Sequence, residues 1–182
     1  SLKMRFKIVF FLIILSTPGF SQESLMKKFR RLSNSEKCWV IFHPFVAKKA
    51  LIISEEARKV TKEVLKEKVL KGAGNGGQID AFRHTFWMAS LSLVIGSRRA
   101  KSLGVSHEKG NYKDYKKRKL EDGEIPDEIS SKMDLFNNNV GIDIAELTTD
   151  FDLKGVVVEA VKNGRCKIIK MDDDGNFLDC EG

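Results

Sequence analysis

The stretch that most constrains this chain runs from Gly72 to Ile95, where a glycine-rich loop (Gly72-Ala73-Gly74-Asn75-Gly76-Gly77) leads into Gln78-Ile79-Asp80-Ala81-Phe82-Arg83-His84-Thr85-Phe86-Trp87. From Ala81 to Ile95 the only polar residues are Arg83, His84, Thr85, Ser90 and Ser92, and the apolar ones occupy every face of a helical wheel. A helix that is apolar all round is buried on all sides, so this segment reads as the central helix of the fold. Its charged beginning is the exception. Asp80, Arg83, His84 and Trp87 stand at i, i+3, i+4 and i+7 and share one face. Buried charge is costly unless paired, so a carboxylate, a guanidinium and an imidazole at the start of a core helix imply either a satisfied polar network or a reaction site.

The loop itself excludes more than it offers. Gly72-x-Gly74-x-x-Gly77 spells the dinucleotide fingerprint, but that pattern has meaning only between a buried strand and a helix, and a charged helical segment precedes it here. Gln78-Ile79 stands where a phosphate-binding loop requires Lys-Ser/Thr. A connector is the simpler reading, with free N–H groups at the next helix's N-terminus able to receive an anion.

Lys3, Arg5 and Lys7 precede the apolar run Ile8-Val9-Phe10-Phe11-Leu12-Ile13-Ile14-Leu15, and Gly19-Phe20-Ser21 supplies small residues for a cleavage site. Residues 1–21 are therefore expected to be a signal peptide, the apolar run being about half the ~20 residues of a membrane span. Its removal takes three basic and no acidic residues from the chain, lowering the formal charge from +7 to +4. That balance suits an anionic lipid or cell-wall surroundings, and without a basic stripe interleaved with aromatics no nucleic-acid partner is expected. The expected location is secreted or periplasmic, with no membrane span after cleavage.

The remaining length suits one domain, residues 22–182, able to bury a real core. Residues 23–32 carry a helical apolar period, Ser33-Asn34-Ser35-Glu36 offers a cap before Cys38-Trp39-Val40-Ile41-Phe42, and His43-Pro44 should break that element. A helix opening at Ser54-Glu55-Glu56-Ala57 carries Val60, Val64, Leu65 and Val69 on one stripe. Tyr112 to Asp127 reads as an exposed loop or a loosely held helix, punctuated by Gly123 and Pro126. Ile129 to Leu147 reads as the next strong helix, with Asp134, Asn137, Asn138, Gly141 and Ala145 on one face and Phe136, Val140 and Leu147 opposite. Asparagine is a poor helix former, so Asn137-Asn138-Asn139 needs a reason, and hydrogen bonding of Asn137 and Asn138 into the Asp80, Arg83 and His84 cluster supplies one. A helix over Val156 to Lys162 should be followed by a β-hairpin at about 165–180, turning at Asp172-Asp173-Asp174-Gly175-Asn176. That turn lacks the spacing and distal glutamate of a calcium loop. The fold class is thus mainly α, a compact helical domain around a buried central helix with a small C-terminal hairpin. The three cysteines allow one disulfide and one spare thiol: Cys166 and Cys180 flank the hairpin and are the first candidates for a bridge, and pairing of Cys38 with either of them stays open. No C-x-x-C is present for cysteine zinc or thioredoxin-type chemistry.

Three segments, Asp80-Ala81-Phe82-Arg83-His84-Thr85-Phe86-Trp87, His107-Glu108 and Met133-Asp134-Leu135-Phe136-Asn137-Asn138-Asn139-Val140-Gly141, resemble a bacterial domain family of unknown function with D-A-x-R-H-x-x-W, H-E and M-D-L-x-N-N-x-x-G signatures. The resemblance spans roughly residues 36–180 and implies a small, mainly helical exported protein of Bacteroidetes-type bacteria, with similar domains at the ends of toxin-like proteins. It implies no reaction. A looser similarity to small helical hydrolases points toward envelope lipids or cell-wall polymers as substrates.

The residue types carry hydrolytic chemistry: an imidazole that titrates near neutrality (His84), carboxylates to orient it (Asp80, Asp134), a second imidazole–carboxylate pair (His107, Glu108), a guanidinium for an anionic group (Arg83) and amides for an oxyanion (Asn137, Asn138). Neither G-x-S-x-G nor H-E-x-x-H is present, so water activated by histidine or metal replaces a covalent serine. Asp80, His84, His107 and Asp134 offer nitrogen and oxygen ligands for a divalent ion such as zinc or manganese. Two readings result: an exported hydrolase, and a non-enzymatic envelope or binding protein whose buried polar network is structural. Convergence of His84, His107 and Asp134 on one void would favour the first, and direct pairing of every polar group the second.

Overall fold

The computed structural model describes residues 22–71, 75–116, 128–147 and 152–169, and among them it contains seven helices and no strand. These are α1 (Gln22–Arg31), α2 (Asn34–Phe42), α3 (Pro44–Glu67), α4 (Gln78–Ile95), α5 (Ser97–Lys116), α6 (Glu128–Leu147) and α7 (Leu153–Lys162). Residues 1–21, read from sequence as a signal peptide, lie outside the described residues.

Helix α4 is central, as its all-round apolar sequence requires. Twelve of its eighteen residues are buried, and it packs most extensively on α6, then on α3, α5 and α7. Two apolar clusters lie along it. One gathers Phe82, Phe86 and Ala89 with Val140, Ile144, Val157 and Val161; the other gathers Met88, Leu91 and Ile95 with Trp39, Leu103 and Ile142. Trp87 touches both. The α4–α6 crossing is close because position 141 has no side chain: a Cβ there would lie 2.3 Å from the Thr85 carbonyl oxygen and 3.0 Å from Ala89 N. The closeness that Gly141 suggests in the sequence is therefore real.

Local signals explain most boundaries. Ser33 caps α2 in a full capping box, its hydroxyl accepting from Glu36 N while the Glu36 carboxylate accepts from Ser33 N. His43-Pro44 ends α2 as expected, but the following helix starts at Pro44 rather than at Ser54. Proline at the first helical position loses no hydrogen bond, and Ser54 sits mid-helix with its hydroxyl donating back to the Ala50 carbonyl. Gly96, at φ 85, separates α4 from α5. Helix α5 runs on to Lys116, into the segment read as an exposed loop or a loosely held helix, and residues 117–127 lie outside the described residues.

The expected C-terminal hairpin is not seen among the described residues, and its turn and second half, 170–180, lie outside them. Its first half is held by other partners. Ile169 N–H donates to the Gly76 carbonyl at 2.7 Å, and Lys167 N–H to Asn137 Oδ1 at 2.8 Å. Cys180, the partner expected for Cys166, also lies outside the described residues; among those described no disulfide is seen, Cys166 being a free, buried thiol against the Thr85 hydroxyl at 3.3 Å and Cys38 free and exposed. Burial pushes the Cys166 thiol up, as expected for a sulfur set in the core. Val140, expected opposite the polar face of α6, is buried in the core, because the helix is covered on more than one side.

Candidate functional site

The first turn of α4 sets the site. Gly76, at φ 72, turns the loop so that its N–H donates to Asp80 Oδ2 at 2.8 Å, fixing this carboxylate at the positive end of the helix. One turn on, His84 is 3% exposed. Helix α6 brings Asp134 and Asn138 to it, and α5 brings Glu108, so residues 54 positions apart in sequence meet around one imidazole.

The two ring nitrogens face different chemistry. Nδ1 lies 3.3 Å from Asn138 Oδ1 and 3.9 Å from Glu108 Oε1. Both are acceptors in the orientation assigned to the Asn138 amide, and a ring proton on Nδ1 would serve them. Nε2 faces one donor, the Arg83 guanidinium at 3.3 Å, and two acceptors, Asp134 Oδ1 at 3.3 Å and Asp80 Oδ1 at 3.6 Å, so a lone pair there is served by Arg83 and set against two carboxylate oxygens, as in a cation-binding set. Arg83 also pairs with Asp80 Oδ1 at 2.7 Å, so its N–H groups serve both atoms. Burial above all, then the positive charges of Arg83 and His107, hold His84 well below the usual histidine range, against the opposing hydrogen bond to Asn138.

Ligand atoms of Asp80, His84 and Asp134 all lie within 4.8 Å of one another, a nitrogen and oxygen donor set of the kind that divalent ions take. Three acids of the cluster, Asp80, Glu108 and Asp134, are buried, and Arg83 pairs with the first of them. Asn138, bonded to Nδ1, occupies the place of the outer-shell partner that orients a metal-bound histidine.

The sequence grouped some residues that the fold separates. His107 is outside the three-residue donor set: its ring centroid is 6.4 Å from that of His84, and its Nδ1 lies 3.0 Å from Glu36 Oε1. Neighbours on a helix point about 100° apart, so His107 and Glu108 divide between two partners, Glu108 turning to His84 and to Asn111. Glu36, which reads in the sequence only as a cap, is the missing carboxylate. Burial pushes it up, but the hydrogen bond and charge of His107 prevail and hold it below its usual value. Asn137 also leaves the cluster, its amide accepting from Lys167 N at 2.8 Å and donating to Lys167 O at 2.9 Å. Trp87 stays beside the site, edge-on to both imidazoles, with its Nε1 donating to Ser54 Oγ at 2.8 Å.

Arg83 is about a third exposed and His107 about a fifth, whereas Asp80, His84, Glu108, Asp134 and Asn138 are buried. A shallow surface depression of about 520 Å³ lies elsewhere, lined by residues of α7 and its flanks such as Asp152, Glu159 and Arg165.

Neither a curated protein nor a solved structure matches the chain. A family model does match, over residues 37–167, a span that begins in α2 and contains every residue of the cluster; the chain belongs to the family described as Domain of unknown function (DUF6973).

Proposed function

We propose that this chain is a divalent-metal-dependent hydrolase with Asp80, His84 and Asp134 as the metal-binding set, acting on an anionic envelope lipid or cell-wall polymer. The observation that carries this reading is that a ring nitrogen of His84 and carboxylate oxygens of Asp80 and Asp134 lie within 4.8 Å of one another, with His84 Nδ1 beside Asn138 Oδ1. Asp80, His84 and Asp134 would hold the ion, which would supply a water acidic enough to attack at neutral pH. Asn138 and Glu108 hold the His84 ring, and His107, oriented by Glu36, stands near enough to take or return a proton through water. Arg83 occupies the place between Asp80 Oδ1 and His84 Nε2, and its partly exposed side chain is the group to swing outward onto a substrate's anionic oxygen. Export by residues 1–21, in a Bacteroidetes-type bacterium, is part of the same proposal.

One observation favours the structural alternative. The cluster is enclosed, and Asp80 already has Gly76 N and Arg83 while Glu108 has Asn111. Elemental analysis of protein purified without chelator, with hydrolysis assayed on ester, phosphodiester, amide and glycoside panels, separates the readings. The expected result is one zinc or manganese ion per chain and turnover lost in Asp134→Asn with helical circular dichroism retained. No bound ion and no turnover on any panel would leave the polar network as a scaffold.

A further inference from the structure

The corner between α2 and α3 carries the least covered large apolar side chains near the N-terminal end of the domain. Phe42 is 80% exposed and Phe45 81%, with only His43-Pro44 between them, and Ile41 and Ile52 are exposed beside them in sequence or along the helix. On α3, Phe45, Lys48, Lys49 and Ile52 stand at i, i+3, i+4 and i+7, so one outward stripe alternates apolar tips with ammonium groups. The surrounding sequence is one-sided in charge: from Lys37 to Ser54 there are three lysines and no acid. The flanking acids are engaged elsewhere, Glu36 with His107 and Ser33, and Glu55 with Lys28. Proline at the start of α3 and the aromatic stack of Trp39 on His43, 4.5 Å between ring centroids, help to hold the corner in shape.

We propose that this corner docks the protein on an anionic lipid bilayer, Phe42 and Phe45 entering the interface while Lys48 and Lys49 meet the headgroups. Two exposed aromatic side chains at one bend, with lysines on the helix face that follows, have the composition of an interfacial anchor. A stripe carrying only positive charge disfavours its own copy as the partner, because two such stripes would repel. No helix among the described residues is long and apolar enough to cross a membrane, so attachment through this corner is at the surface. The proposal uses none of the residues of the Asp80, His84 and Asp134 cluster and stands whether or not that cluster is catalytic. Docking would present the side of the protein that carries α2, whose Glu36 reaches His107, to a lipid phase.

The test is co-sedimentation of the full chain with phosphatidylcholine vesicles with and without phosphatidylglycerol. The expected result is binding to the phosphatidylglycerol vesicles alone. Phe42→Ser/Phe45→Ser should weaken it by at least about tenfold, and Lys48→Gln/Lys49→Gln by several-fold, most clearly at low salt. Both pairs are exposed, and unchanged circular dichroism and melting temperature will show that they leave the fold intact. Equal binding to neutral vesicles, no binding at all, or equal binding by the Phe42→Ser/Phe45→Ser variant, as an apolar leader at residues 1–21 would give, overturns the proposal. So does a dimer of the wild type that this variant dissolves, with no vesicle binding.

Discussion

His84 shows how far one residue's surroundings reset its chemistry. Its folded pKa lies below the unfolded value of about 6.5, so between the two the unfolded chain binds more protons. Stability is therefore complete above about pH 6.5 and declines as the pH falls toward the lowered value, by up to about 1.4 kcal/mol per pH unit. Urea unfolding of metal-free protein at pH 7 and pH 5.5 should show this loss, and His84→Gln should remove it. An unchanged slope in the variant would mean that another group carries the proton. Glu36 does not confuse the measurement: with its pKa depressed, its contribution is present above about pH 4.5 and is lost only as the pH falls through the folded value.

At the scale of elements, two positions on α6 do different work. Gly141 lets α4 and α6 approach, and Gly141→Ala would set a methyl group against the Thr85 carbonyl, backbone that cannot turn aside. The two helices must then separate, at a cost of about 1–3 kcal/mol or more, seen as a clear fall in melting temperature. Gly104→Ala is the milder comparison, since its new methyl would meet the flexible end of Met88 at 3.2 Å. Asn137, by contrast, pins the segment after α7 through both polar groups of Lys167. Asn137→Ala should cost about 1–3 kcal/mol by stranding them. Amide exchange should quicken at Lys167 and Ile169 while the middle of α4 stays protected, and uniform loss of protection would place Asn137 in the global core instead.

For the whole molecule, the cluster joins three helices, so a ligand bound there should stabilise the entire fold. Binding to the folded state alone adds about 2.7 kcal/mol at a hundredfold excess over Kd. Zinc or manganese should therefore raise the melting temperature at pH 7.5, and the shift should shrink on acidification, because Asp80, His84 and Asp134 must be deprotonated to coordinate. Asp134→Asn should abolish the shift. A shift that survives in that variant would put the ion elsewhere.

Much of this arrangement is present in the chain's periodicities. The buried central helix, the capping box at Ser33, the break at His43-Pro44, the close crossing at Gly141 and the shared face of Asp80, Arg83, His84 and Trp87 all follow from residues within a few turns of one another, where helical geometry alone fixes who meets whom. The start of α3 was less legible, because Ser54-Glu55-Glu56 imitates a cap that Pro44 makes unnecessary. What the tertiary structure decided is the pairing across helices. The rotation of α5 gives Glu108 to His84 and His107 to Glu36, and the rotation of α6 gives Asn138 to the cluster and Asn137 to Lys167. Adjacent residues on a helix diverge by about 100°, so which of two neighbours faces the site depends on how the whole helix is turned. That turn is set by the summed burial of its apolar side chains, which no local pattern contains.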